Sequence, residues 1–402
     1  MNFEQLGASS RFIKRLETRN IKEATDIQCK VIPRLSAGES VFFTSATGTG
    51  KTFAYLLPLL TNLPEKEKPP FGPRILILAP TLELCSQISS ELDFLLEGSP
   101  IRSFLAIGSI SLDRQIDNYK KTKPDIVIGN PNRLFLLAQK KILKLNGVYS
   151  LVLDEADRLV SDEMINDTTE LCSLIRKFSQ TDKIILSACS ATLNKKCAEK
   201  IQTVFFGSEK SSGVTFVESE DNEILRDKIE HWAIFSEKRR KDQTLRSLLA
   251  AIKTKKSRVK TLVFTSKGDE AAMVLSRLQY HHVPAAGLFG KAGKKALSGA
   301  ERKEALDLFR SGSVDVLVST DLAARGLDIP GITHVIALDV PSDSEAYIHR
   351  CGRTGRAGNR GIMVTIGDET QMRLLSSLEK KLKIKVMPKE LYMGKICVPE
   401  MD

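Results

Sequence analysis

The sequence predicts an α/β protein made of two tandem, doubly wound parallel-sheet domains joined by a short linker. Three observations carry that expectation. The chain has 402 residues, more than a single hydrophobic core usually supports and about right for two domains. Short apolar runs that end in small or polar residues alternate with longer amphipathic stretches, the pattern of buried parallel strands separated by helices. The same alternation starts again after a polar segment rich in Gly and Ser.

In the first half the apolar runs are VFFT from 41, RILILAP from 74, DIVIG from 125, SLVLDEAD from 150 and KIILSA from 183. SRFIKRLETR and SQISSELDFLLE, placed between or before them, have the spacing of amphipathic helices. GSEKSSGVTFVESEDNE, from Gly207, lacks helical periodicity and reads as the linker. IEHWAIF from 229, TLVFTS from 261, VDVLVST from 314, HVIALDV from 334 and GIMVTIG from 361 then repeat the strand pattern. The expected boundaries are 1–206 for the first domain, 207–225 for the linker and 226–402 for the second. No further specificity domain is expected within these bounds.

With 42% hydrophobic and 27% charged residues the composition is that of a globular protein. A net charge of +11 suits a polyanionic partner, although charge alone is also common in proteins that bind no nucleic acid. Seven cysteines, with no CxxC pair, fit reduced thiols. MNFEQLGASSRF has no signal-peptide core and no apolar run approaches 18 residues, so the expected location is cytoplasmic, without a membrane anchor.

The first strand runs into Ser45-Ala46-Thr47-Gly48-Thr49-Gly50-Lys51-Thr52 and then a helix, the context a phosphate-binding loop requires. Its backbone amides can surround phosphates, Lys51 can reach the β and γ phosphates, and the Thr52 hydroxyl can ligate Mg2+. About a hundred residues later a strand ends in Asp154-Glu155-Ala156-Asp157. There Asp154 can hold the metal and Glu155 can orient or deprotonate the attacking water. After the strand HVIALDV, His349-Arg350-Cys351-Gly352-Arg353-Thr354-Gly355-Arg356 packs three arginines into the seven residues from Arg350 to Arg356. Guanidiniums are permanently charged forks, so Arg353 and Arg356 can neutralise a γ phosphate in its transition state, which makes hydrolysis depend on both halves.

These residues, in this order, resemble the DEAD-box ATP-dependent RNA helicases of superfamily 2, across essentially the whole chain. The resemblance implies two RecA-like domains, ATP and Mg2+ as ligands, and RNA as the macromolecular partner. It implies that Ser190, Ala191 and Thr192 with Asp157 and His349 couple hydrolysis to domain closure. Thr25 and Gln28 stand where the family reads adenine, with Phe3 as its upstream aromatic and Asp328 at the ribose; a Gln amide can both donate to and accept from an adenine edge. The implied RNA contacts are Pro80, Thr81, Gly108, Pro131 and Arg133 in the first domain, and Ser266, Lys267, Arg302 and Thr320 in the second.

The sequence departs from the family at Leu82, where an Arg is usual, at Ile21, where an aromatic is usual, and at Asn130 and Asn132 in NPNR. Weaker RNA binding with a shallower salt dependence is the expected result of losing a cation, and weaker or more salt-sensitive activity overall. The enzyme is expected to act as a monomer, with recruitment through the core surface or a protein partner. A clamp that retains RNA without unwinding it, and a DNA translocase, are the two rival readings.

Overall fold

The computed structural model describes residues 1–45, 49–63, 72–181, 183–190, 195–206, 214–218, 228–253, 259–292, 295–324, 329, 331–341, 343–355 and 359–399. The chain divides into two compact units, Met1–Glu220 and Asp221–Asp402.

The first unit is built on seven strands: β1 (Ser40–Thr44), β2 (Ile75–Leu78), β3 (Ser103–Ala106), β4 (Ile126–Gly129), β5 (Ser150–Asp154), β6 (Ile185–Ser190) and β7 (Val214–Glu218). Their order in the sheet is β3-β4-β2-β5-β6-β1-β7, with every pairing parallel. Alternate residues of a strand point to opposite faces, and both faces are covered here. Val41, Phe43, Ile75, Ile77, Ile126, Ile128 and Val152 enter one core. Phe42, Leu76, Leu78, Val127, Leu151 and Leu153 enter the other. Burial on both sides is why these strands read as continuous apolar runs rather than as alternating ones.

Residues 214–218 fall inside the span expected to be linker, yet they form β7 and pair with β1 from Ser40↔Val214 to Thr44↔Glu218. Only Val217 of this strand is buried. An edge strand has one neighbour and a thin cover, so its text stays polar and resembles a loop. Phe216 still contributes an edge-to-face contact with Phe42, the ring centroids 5.3 Å apart.

The second unit contains β8 (Ile229–Phe235), β9 (Thr261–Thr265), β10 (Ala285–Leu288), β11 (Lys291–Ala292), β12 (Lys295–Ala296), β13 (Val316–Thr320), β14 (His334–Ala337), β15 (Gly361–Gly367), β16 (Val386–Tyr392) and β17 (Lys395–Cys397). Its main sheet runs β10-β13-β9-β14-β15-β8-β16-β17, and β11 and β12 form a separate pair. The pairings in the main sheet are parallel except for β16 with β17. Two cores again cover the two faces.

Among the described residues no helix is long and apolar enough to cross a membrane, and the seven cysteines are free thiols. Because each sheet is essentially parallel, the carboxyl ends of its strands share one rim. In open α/β sheets that rim is where ligands bind.

Candidate active site

At the rim of the first unit, β5, β6 and β1 are neighbours, and their ends bring together three motifs distant in sequence. The Ser45 N–H, just past β1, donates to the Ser190 carbonyl at the end of β6, 3.2 Å away. Asp154, the last residue of β5, is in register with Cys189 of β6. Gly50 caps the helix Lys51–Thr61 with φ of +89°, a backbone state that favours glycine. Lys51 is folded back over the loop, its Nζ donating to the Ser45 carbonyl at 2.7 Å. Thr52 follows in the first helical turn. Ala46, Thr47 and Gly48 lie outside the described residues.

Thr25 and Gln28 open the helix Asp26–Ser36 and reach this loop directly. The Thr25 hydroxyl donates to the Thr49 carbonyl at 2.8 Å, and Gln28 Nε2 donates to the Gly50 carbonyl at 3.0 Å. Gln28 Oε1 accepts from the Thr25 N–H at 3.0 Å. Gln28 is therefore buried rather than lying on an exposed helix face. Gly50 has a second reason to be glycine, since a Cβ there would stand 2.3 Å from Gln28 Nε2. Phe3 is buried in the core beside this segment.

The Asp154 carboxylate is buried and held by three donors: the Glu155 N–H at 2.9 Å and the Cys189 thiol at 3.2 Å to Oδ1, and the Tyr55 hydroxyl at 2.9 Å to Oδ2. Burial first, and then the Asp154 charge, push the Tyr55 phenol and the Cys189 thiol far up, so both remain protonated donors. Glu155 adopts the left-handed backbone state, with φ 50° and ψ 53°. For a residue with a side chain that state costs on the order of 1–3 kcal/mol and is concentrated at functional sites. Arg158 Nη1 lies 3.8 Å from Glu155 Oε2. Asp157 sits in the short helix Ala156–Leu159 that follows. Ser190 is fully buried; Ala191 and Thr192 lie outside the described residues.

The expected RNA contacts of this unit occupy the other half of the same rim, after β3, β4 and β2. Thr81 caps the helix Leu82–Leu96, its hydroxyl accepting from the Leu84 N–H at 3.2 Å, with buried Pro80 just before it. Pro131 opens the helix Pro131–Gln139 after β4. Arg133 Nη2 donates to the Gly108 carbonyl at 3.1 Å and to the Ile110 carbonyl at 3.3 Å. Two expected contacts thus belong to one hydrogen-bonded loop pair. Leu82, at the usual Arg position, packs half-buried against the core.

In the second unit the centre of the site is Arg350, which the sequence motif contains but to which no individual role was attached. Its guanidinium is 1% exposed. It donates from Nε and Nη2 to both oxygens of Asp321, at 2.6 and 2.7 Å, and to the carbonyl and carboxylate of Asp339, each at 2.8 Å. Burial disfavours its charge, but the Asp321 and Asp339 carboxylates outweigh that and push the guanidinium's proton affinity up. Asp339 also accepts from the Ser266 N–H at 2.6 Å. One buried cation therefore joins the ends of β9, β13 and β14. Thr320 is the buried last residue of β13. Lys267, exposed, caps the helix Gly268–Tyr280, and Arg302 lies on the helix Gly299–Ser311. Arg353 Nε donates to the His349 carbonyl at 3.2 Å, and both residues are buried. Asp328 and Arg356 lie outside the described residues.

Comparison with known proteins identifies the family and agrees with the fold. Residues 25–201 match the family model described as DEAD/DEAH box helicase, and residues 240–358 match that of the helicase conserved C-terminal domain. The chain is 33% identical over 378 residues to the DEAD-box ATP-dependent RNA helicase CshC of Bacillus cereus, covering 94% of this chain and 90% of the relative. Dbp5 of S. cerevisiae, solved with RNA and ADP BeF3, shares the fold with a TM-score of 0.84 at 24% identity, over 97% of this chain and 96% of that one. Mss116p, solved with single-stranded RNA and AMP-PNP, gives 0.85 at 25% identity, over 97% and 78%. With two family models matched in order and a curated relative aligned along nearly the whole length, this chain belongs to the DEAD/DEAH box helicase family.

Proposed function

We propose that this chain is an ATP-dependent RNA helicase, which binds single-stranded RNA through its backbone and separates or remodels short duplexes at the expense of ATP. The observation that carries the proposal is the shared rim of the first sheet. There the residues expected to hold nucleotide lie at the ends of β5, β6 and β1, and those expected to contact RNA at the ends of β3, β4 and β2. The names of the relatives point the same way: one is a DEAD-box RNA helicase, and another was solved with single-stranded RNA and an ATP analogue.

In this reading the amides from Ser45 to Lys51 cradle the phosphates, and Lys51 exchanges the Ser45 carbonyl for phosphate oxygens. Glu155, held in its left-handed turn beside the phosphate loop, orients the attacking water. Arg353 and Arg356 supply positive charge for the transition state. The Thr52 hydroxyl and the Asp154 carboxylate form a hard-oxygen donor set, and Tyr55 touches both. That chemistry suits Mg2+, which takes one or two protein oxygens together with phosphates and water. When bound, Mg2+ neutralises charge on the transferred phosphoryl group. The free thiols fit a reducing, cytoplasmic setting, and the second ligand, RNA, is expected to tighten the first reciprocally.

Steady-state ATPase is the test, measured without nucleic acid, with single-stranded RNA and with matched DNA, with Glu155→Gln as control. RNA-selective stimulation that the variant lacks supports the helicase reading. Equal stimulation by DNA would support a translocase instead. RNA retention with ATP but no strand separation would support a clamp.

A further inference from the structure

Tyr55 lies on the helix Lys51–Thr61, one turn after Thr52, and is fully buried. Its hydroxyl donates to Asp154 Oδ2 at 2.9 Å, and the Thr52 hydroxyl stands beside the same phenol oxygen. A single phenol therefore touches both side chains suited to hold the divalent cation, from residues 102 positions apart in sequence.

The acceptor capacity of Asp154 shows what that contact does. A carboxylate has about four acceptor positions. Among the described residues, the Glu155 N–H and the Cys189 thiol occupy Oδ1 and the Tyr55 hydroxyl occupies one side of Oδ2. One position on Oδ2 is left. Without the phenol, that oxygen would have no protein donor among the described residues, and rotation of the carboxylate about its last bond would be resisted by them only from the Oδ1 side. Hydrogen bonds from neighbouring groups orient metal-holding carboxylates and carry much of the metal affinity.

We propose that Tyr55 is a positioning residue of the nucleotide–metal site: its hydroxyl fixes the Asp154 carboxylate so that the remaining acceptor position and the Thr52 hydroxyl are presented together to a divalent cation. The inference rests on the ATPase reading, and it gives the tyrosine at this helix position a role that its burial alone would assign to packing. Phenylalanine would fill the same volume and lose only the oxygen. The change tests the hydroxyl and leaves the core intact.

The full-length chain, Tyr55→Phe, Asp154→Asn and the double variant are titrated with Mg2+ in the presence of a fluorescent, non-hydrolysable ATP analogue, and parallel titrations are made in EDTA. In EDTA, Tyr55→Phe binds the analogue as the parent does. Its half-saturating Mg2+ concentration rises by roughly tenfold, the usual range for loss of a group that orients a metal ligand. In the Asp154→Asn background the same change has no further effect, because the phenol acts through that carboxylate. A half-saturation unchanged by Tyr55→Phe overturns the proposal, as does an equal rise in the Asp154→Asn background. If the parent itself binds the analogue no better with Mg2+ than in EDTA, the nucleotide-site reading fails first and takes this inference with it. Should the phenylalanine variant not fold, p-aminophenylalanine at 55 keeps a weaker donor and is expected to give a smaller shift in the same direction; no shift overturns the proposal.

Discussion

Gln28 donates its side-chain Nε2 to the Gly50 carbonyl at 3.0 Å, which ties the helix expected to read the base to the loop expected to hold the phosphates. Its Oε1 is bonded to the Thr25 N–H. A primary amide has two donors and two acceptor positions, so one of each is left for an adenine edge. Gln28→Ala removes two buried bonds worth about 0.5–1.5 kcal/mol each. Competition binding with ATP, GTP and UTP should show weaker ATP binding and a loss of preference among the bases, and the melting temperature should fall.

Lys51→Ala is expected to abolish ATP turnover, because it removes the cation that replaces a carbonyl contact with a phosphate contact. Arg356→Ala should leave nucleotide binding mostly intact and remove hydrolysis. Equilibrium binding measured beside single-turnover hydrolysis separates the two outcomes. Substantial turnover in either variant would contradict the assigned roles.

Arg350→Met should damage the second unit through folding rather than chemistry. It strands the Asp321 and Asp339 carboxylates, whose common partner is a guanidinium that is 1% exposed. Breaking a buried ion pair from one side costs about 3–5 kcal/mol. Urea denaturation followed through Trp232, the single tryptophan and a residue of β8, should report an earlier transition of this unit. Arg350→Lys should fall between the two, since an ammonium cannot make the forked contact with Asp321.

The stability of the second unit should also depend on pH through His334. Burial pushes its imidazole down from 6.5 to about 4. The folded ring is then neutral over a range where the unfolded ring binds a proton. Its contribution is complete above pH 6.5 and is lost as the pH falls from 6.5 towards 4. The loss is bounded at about 3 kcal/mol and reduced by the ring's partial exposure. The same Trp232 signal, followed against urea at pH 7, 6, 5 and 4, should show this slope, and His334→Gln should flatten it.

Leu82→Arg should restore a cation where the family usually carries one. Leu82 begins the helix after Thr81, on the half of the rim proposed to contact RNA, so a longer charged side chain can extend from there while its stem covers the same core surface. RNA affinity should rise at low salt, and the slope of log affinity against log salt should steepen by about 0.7. An unchanged slope would place RNA away from this helix start.

The strands with two buried faces were legible because their apolar runs are unbroken, as in Ile75–Leu78 and Ile126–Gly129. β3, β7, β10, β16 and β17 were not, for they are short, lie at or near sheet edges, or alternate with polar residues. In the site, the residue types required by phosphate chemistry could be read from Lys51, Thr52, Asp154 and Glu155 alone. The supporting contacts could not. Tyr55 and Cys189 look like ordinary core residues until β5 and β6 are placed in register, and Arg350 is one arginine among three until Asp321 and Asp339 converge on it. Gln28 was read as a base contact, while the part it plays in holding the phosphate loop depends on a tertiary approach that sequence spacing does not encode.

The first sheet sends every loop of its proposed chemistry from one rim, and this has a practical consequence for reporters. The opposite rim holds turns such as Gly98–Ser99 and exposed Lys123, which comes just before β4. A strand of four residues spans about 13 Å, so a dye on a cysteine introduced at Lys123 would sit a full strand length from Pro131. The chemistry and the optics can be kept at opposite ends of the same β-strand.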